Sequence, residues 1–135
     1  MPEYTLIPIH LGKINLDLGI MTYRMNYGVR KWLPIISWYV KVGEENILID
    51  TGISSAESAY YTESPVEALI DFEGGLKKVG ITPDDVDWVI QTHLHFDHVG
   101  NTRRCKNARV IVQKAELEFA LAPHPMQGYL YDPNL

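Results

Sequence analysis

Six residues in the second half of the chain carry three of its five histidines and a carboxylate: His93, His95, Asp97 and His98, in the order His-x-His-x-Asp-His. Imidazole and carboxylate are the donors preferred by zinc, iron and similar divalent ions, and a buried charge otherwise needs a partner. In extended backbone, side chains two residues apart point the same way, so His93 and His95 can grip one ion from one side. Asp97 and His98 follow at once. If the chain turns into a helix there, their side chains diverge from the first pair and reach a second ion. Two ions about 3.5–4 Å apart with a bridging hydroxide form a hydrolytic site. Leu94 and Phe96 alternate with the ligands and would face the packed side of the loop, and Gly100 would let the backbone turn closely beneath the ions.

Such a loop needs elements to hold it. Residues 86–91 read as a buried strand that delivers the cluster at its carboxyl end, where open sheets place their sites. Residues 37–42 and 47–50, joined by the polar turn at 43–46, read as a β-hairpin. Asp50 closes the second arm, ahead of Thr51-Gly52. A carboxylate there can accept from turn backbone or from a ligand imidazole and fix its tautomer; as a plain turn residue it would need no such partner.

The remaining elements are less sharply drawn. Residues 4–10 read as a first strand, with Pro8 at an edge or bulge and His10 as an ordinary strand histidine. Residues 12–36 show poor periodicity and read as a long loop or a distorted hairpin, in which Met21, Tyr23, Met25 and Tyr27 would share one face, packing on the sheet or lining a pocket. Residues 54–64 read as a polar loop near the mouth of the site. A helix is expected from Pro65, with Ser64 as N-cap and Glu67 completing a capping box, weakened by Gly74-Gly75 and closed by Gly80. A single capped turn at 82–85, a strand at 108–113 and a helix at 114–121 complete the pattern, and residues 122–135, with His124, read as loop.

The stretch Thr92-His93-Leu94-His95-Phe96-Asp97-His98-Val99-Gly100 resembles the signature of the metallo-β-lactamase-fold hydrolases. Ile47-Leu48-Ile49-Asp50-Thr51-Gly52 resembles the strand and turn that precede that motif, Asp84-Asp85-Val86-Asp87-Trp88-Val89-Ile90 the strand leading into it, and Val112-Gln113-Lys114-Ala115-Glu116 the strand and helix after it. The details are most similar to the N-acyl homoserine lactonase branch. The resemblance implies an α/β fold: the N-terminal half of an αββα sandwich, a mixed sheet with helices on one face, over residues 1–135. It also implies His93 and His95 on one ion, Asp97 and His98 on the other, and Asp50 orienting the ligands. The implied cofactors are two divalent ions, zinc first, with iron, manganese or cobalt as alternatives. The implied reaction is the opening of a lactone or related ester by a metal-bridging hydroxide, with Asp97 relaying a proton to the leaving oxygen.

The same resemblance implies that the rest of the site lies elsewhere. The family's remaining ligands come from a second half whose residues have no counterpart here. The completing half would be a separate chain, a further stretch of the same product, or a second copy. A non-enzymatic half-domain that persists by association is the alternative. The flavin-partnered di-iron branch places a Glu where this chain has His95, which counts against redox work.

Bulk properties set the outer limits. One domain fits in 135 residues, and a net charge of −5 with a pI near 5.4 argues against a nucleic-acid partner. The single cysteine, Cys105, excludes an internal disulfide and suits a reducing cytoplasm. The most apolar run, residues 32–40, is broken by Pro34 and Ser37 and is too short to span a bilayer.

Overall fold

The computed structural model, which describes residues 3–54 and 64–131, gathers the apolar stretches of the chain into one six-stranded sheet. Its strands are β1 (Tyr4–Asp17), β2 (Arg30–Val42), β3 (Glu45–Ile49), β4 (Val66–Ala68), β5 (Trp88–Ile90) and β6 (Arg109–Ile111), in the order β4-β1-β2-β3-β5-β6. The β4-β1-β2-β3 part is antiparallel; β3, β5 and β6 run parallel. The helices are α1 (Leu18–Met21), α2 (Phe72–Lys77), α3 (Phe96–Val99) and α4 (Lys114–Leu121), with short 3-10 turns at Pro83–Asp85, Thr102–Arg104 and Gly128–Leu130. Among the described residues no helix is long and apolar enough to cross a membrane.

One face of the sheet forms the main core. Ile9, Leu11, Tyr39, Leu48 and Val89 meet Phe72 and Leu76 of α2, together with Val86 and Cys105. A Cβ on Gly75 would lie 2.7 Å from Ile9 and 2.9 Å from Leu11, so the glycine permits a close helix–sheet approach. Gly74-Gly75 therefore sits inside a helix without breaking it. On the opposite face the register aligns Trp38, Ile49, Ile90 and Ile111 in one row, and Leu6 with Val40 and Ile47 in the next. Much of that face is open: Leu6 is 50% exposed, Trp38 37% and Ile111 46%.

The structure corrects several sequence expectations. Of the two readings of residues 12–36, the distorted hairpin holds and the long loop does not: β1 continues to Asp17 past a register shift between His10 and Gly12 and pairs antiparallel with β2, which begins at Arg30. Pro8 and Pro34 fit because each lies where its strand has a single partner, so the missing N–H leaves no ladder bond unmade. Met21, Tyr23, Met25 and Tyr27 do not share a packed face. They lie 59–87% exposed around the turn between α1 and β2, where positive φ at Arg24 and Asn26 breaks the alternation.

The expected helix start at Pro65 is a strand instead. Val66 to Ala68 pair with Gly12 to Ile14 along the open edge of β1, and Val66 packs on the cluster of Ile14, Ile35 and Phe96. The helix begins at Phe72, capped by Asp71, whose carboxylate accepts from the Gly74 N–H at 2.7 Å. Most of the expected loop at 54–64 lies outside the described residues.

Candidate metal centre

Two parallel strands end side by side, and the site grows from their carboxyl ends. β5 ends at Ile90 and the chain passes a bend at Thr92 to His95, whose backbone is extended, before entering α3, whose first residues are Phe96 and Asp97. His93 and His95 flank Leu94 in this stretch, whereas Asp97 and His98 sit on the first turn of a helix. The helical turn falls where the spacing allows it, but the side chains do not diverge: the His98 ring lies 4.0 Å from that of His93, closer than that of His95 at 4.4 Å. The apolar residues between them anchor the loop: Leu94, Phe96 and Val99 are 7%, 5% and 4% exposed. Gly100 has ordinary right-handed helical dihedrals, φ −57° and ψ −24°, so its backbone demands no glycine there.

The next strand contributes Asp50 from the turn after β3. It occupies the left-handed region, φ +58°, which aspartate tolerates better than most residues, and it is 5% exposed. Its Oδ1 accepts from the Thr92 N–H at 2.8 Å. Its Oδ2 accepts from the Thr92 hydroxyl at 2.7 Å and lies 2.7 Å from His98 Nδ1. Burial pushes the Asp50 carboxyl up, but the hydrogen bonds from His98 and Thr92 outweigh it and hold the group below the ordinary range. Burial likewise pulls His98 down, yet its bond to Asp50 and the neighbouring Asp97 charge leave it above the ordinary histidine value. The pair fixes His98: Nδ1 faces Asp50, and Nε2 is left at 3.6 Å from Asp97 Oδ2.

The three imidazoles converge. The His93 ring centroid lies 4.0 Å from that of His98 and 4.4 Å from that of His95. Burial and the neighbouring imidazoles push His93 and His95 below the ordinary value, which favours the neutral form that donates a lone pair. The backbone behind them is tied to the Asp50 turn. Thr51 N–H donates to the His98 carbonyl at 2.6 Å, Gly100 N–H to the Gly52 carbonyl at 2.7 Å, and Asn101 Nδ2 to the Thr51 carbonyl at 2.8 Å.

All five residues picked from the sequence are thus brought together, and their chemistry suits divalent cations. The count is short, however. Divided between two ions as the sequence suggests, the proposed ligands would give each two donors, below the three a catalytic zinc takes from protein. Among the described residues no group of three His, Cys, Asp or Glu is placed to hold an ion as it stands. His10 is exposed on β1. His124 lies in a turn, where its Nδ1 accepts from the Met126 N–H at 3.2 Å, away from the cluster's hydrogen bonds.

Two residues at the site were not singled out by sequence reasoning. Glu116, in the first turn of α4, accepts the Leu94 N–H at 2.9 Å, and Tyr131 forms a backbone bridge with His95. The only sequence signal for Glu116 is an acidic residue opening the helix after β6, the strand beside β5.

Comparison with known proteins places the fold in a family. Residues 30–133 match the model of the metallo-beta-lactamase superfamily. An N-acyl homoserine lactonase of Bacillus cereus is 32% identical over 123 residues, covering 81% of this chain and 48% of its own length. The structure of a Bacillus thuringiensis AiiA variant with N-decanoyl-L-homoserine at its active site superposes with a TM-score of 0.79 at 28% identity, over 100% of this chain and 58% of that one. An N-acyl homoserine lactone hydrolase with N-hexanoyl-L-homoserine at its catalytic metal centre gives the same TM-score, identity and coverage. The chain spans about half the length of the curated relatives it matches.

Proposed function

Since the chain belongs to the metallo-beta-lactamase superfamily, we propose that it carries the metal-binding loop of a hydrolase that opens a lactone of the N-acyl homoserine type. The observation that supports this best is the His98–Asp50 pair, which aims one imidazole nitrogen into a cluster of two further imidazoles and a carboxylate. On this reading His93 and His95 hold one divalent ion, and Asp97 and His98 the other. Zinc is first choice, with iron, manganese or cobalt also suited to these donors. Bound ions would supply Lewis acidity toward the carbonyl and an activated water. Asp50 keeps His98 in the Nδ1–H tautomer, whose Nε2 offers its lone pair to an ion, and Asp97 carries the proton to the departing ring oxygen.

The same reading asks for further ligands from outside the described residues, since each ion has only two here. Residues beyond these 135, a partner chain or a second copy would supply them. The open apolar sheet face, with Leu6, Trp38 and Ile111, is the surface on which a completing element would pack. The single cysteine suits a reducing compartment, so the cytoplasm is the place proposed for it.

The test is ring opening of an N-acyl homoserine lactone by zinc-loaded protein joined to its completing half, followed by mass spectrometry for the addition of one water. The expected result is turnover that is abolished by His95→Ala or Asp97→Asn with folding retained. Near-normal rates in either variant would remove the assignment. Zinc bound without turnover would favour the second reading, a non-enzymatic half-domain; the two-donor count per ion is what keeps that reading in view.

A further inference from the structure

We infer that Glu116 and Tyr131 are positioning residues for His95, acting as a clasp that closes α4 and the 128–131 turn onto the metal loop. The inference rests on the metal reading above and extends it to two residues outside the His-x-His-x-Asp-His stretch.

The clasp is built on a single oxygen. Glu116 Oε1 accepts the Leu94 N–H at 2.9 Å and the Tyr131 hydroxyl at 3.2 Å. Leu94 is the residue between the two proposed ligands of the first ion, so a bond to its N–H fixes the register of both. Tyr131 in turn packs against His95, ring centroids 4.9 Å apart and the planes at 80°, and the two residues form an antiparallel backbone bridge. Tyr131 is 7% exposed although Tyr129, two residues earlier, is 57% exposed. His95 is thus held by Tyr131 through both ring and backbone, and the peptide just before it by the bond from Leu94 N–H to Glu116.

Docking of α4 alone does not account for this arrangement. The apolar cluster of Leu94, Val99 and Tyr131, with Val112, Ala120 and Leu130 against it, already supplies that contact. A carboxylate beside such a cluster costs desolvation unless its bonds repay it, and here both bonds go to the loop and to the tyrosine that touches His95. The contacts are also selective. Glu116 and Tyr131 touch Leu94 and His95, whereas the His98 ring is held by Asp50. Partners of this kind, which orient a ligand without touching the ion, commonly matter 10–100-fold in affinity. The clasp therefore concerns the His93/His95 ion and leaves Asp97/His98 alone.

The experiment follows the imidazole resonances of the 135-residue protein by NMR, first without metal and then during stepwise zinc addition. Wild type, Glu116→Ala, Glu116→Gln and Tyr131→Leu are compared. Without metal, wild type and Glu116→Gln should show cross-relaxation between the Tyr131 and His95 rings, and Glu116→Ala should lose it, because only the amide oxygen can still accept both bonds. With zinc, Glu116→Ala and Tyr131→Leu should weaken the midpoint read at His93 and His95 by about tenfold or more. Glu116→Gln should restore most of it, and the midpoint read at His98 should stay put.

Retention of the ring contact in Glu116→Ala, or equal weakening at His98 and His95, would overturn the clasp. A wild-type protein whose imidazoles ignore zinc would overturn the metal reading instead, and the metal-free ring contact would then still decide whether the clasp exists.

Discussion

Replacing Asp50 with asparagine separates the tautomer argument from simple loss of packing. The substitution is nearly isosteric, and asparagine tolerates the left-handed backbone at φ +58° as well as aspartate does. The amide oxygen can keep the Thr92 N–H bond now made at 2.8 Å, and the Thr92 hydroxyl can turn to accept from the new NH2. His98 is the partner that cannot adapt without consequence. Its Nδ1 now lies 2.7 Å from Oδ2, and opposite an NH2 it must become an acceptor, which moves its proton to Nε2. That is the atom proposed for the metal. A charge-assisted bond of about 1.5–3 kcal/mol is exchanged for a neutral one of about 1, so the net cost to folding is about 0.5–2 kcal/mol. Zinc affinity should fall 10–100-fold, the usual effect of removing a partner that orients a ligand. Urea denaturation gives the first quantity and competition with a chromophoric chelator the second. Asp50→Asn protein that binds zinc within threefold of wild type would refute the tautomer argument, whatever its stability.

Other consequences can be checked on the same protein. Gly52→Ala combines φ +69° with a Cβ 2.6 Å from Leu11 Cδ1, so it should cost about 2–4 kcal/mol; a urea midpoint unchanged from wild type would show that the turn relaxes freely. Cys105 is 4% exposed and burial pushes its thiol up to about 11, so a thiol reagent at pH 8 should modify it slowly in the native state and at full rate in urea. Hydrogen bonds from the Thr82 hydroxyl and N–H hold Asp85 below its ordinary 3.8, so its support of the 3-10 turn is present above that value and fades as the pH falls through the lower folded one. Melting temperatures of wild type and Asp85→Ala should therefore differ at neutral pH and converge in acid; a constant difference would count against the cap.

The clustering of the proposed ligands was legible because it is local. His93 to His98 lie within six residues, and the switch from extended chain to helix between His95 and Phe96 falls where the spacing allows it. Asp50 was legible as a carboxylate ending an apolar strand, and α4 because its residues 114–121 carry a helical sequence without breakers. Long-range pairing was not legible. The second half of β1 looks irregular because Gly12 follows a register shift and Asn15, Asp17 and Lys13 interrupt the alternation, yet β2 and β4 supply partners on both sides. Local capping grammar at Ser64-Pro65-Glu67 lost to the same edge pairing, and the helix began one turn-forming Asp later. Glu116 was invisible for a similar reason. Its partner, the Leu94 N–H, is 22 residues away and is a backbone group that every sequence possesses.

The central claim is that His93, His95, Asp97 and His98 hold divalent metal, and metal content per chain tests it most directly. Wild type, His95→Ala and His98→Ala would be dialysed against the same micromolar zinc, desalted, and their zinc-to-protein ratio measured by elemental analysis. The account predicts up to about two ions per wild-type chain, with the further ligands supplied from a partner or second copy, and a lower ratio in each variant. Equal zinc in all three proteins, or none retained by wild type even in the presence of a completing half, would contradict it.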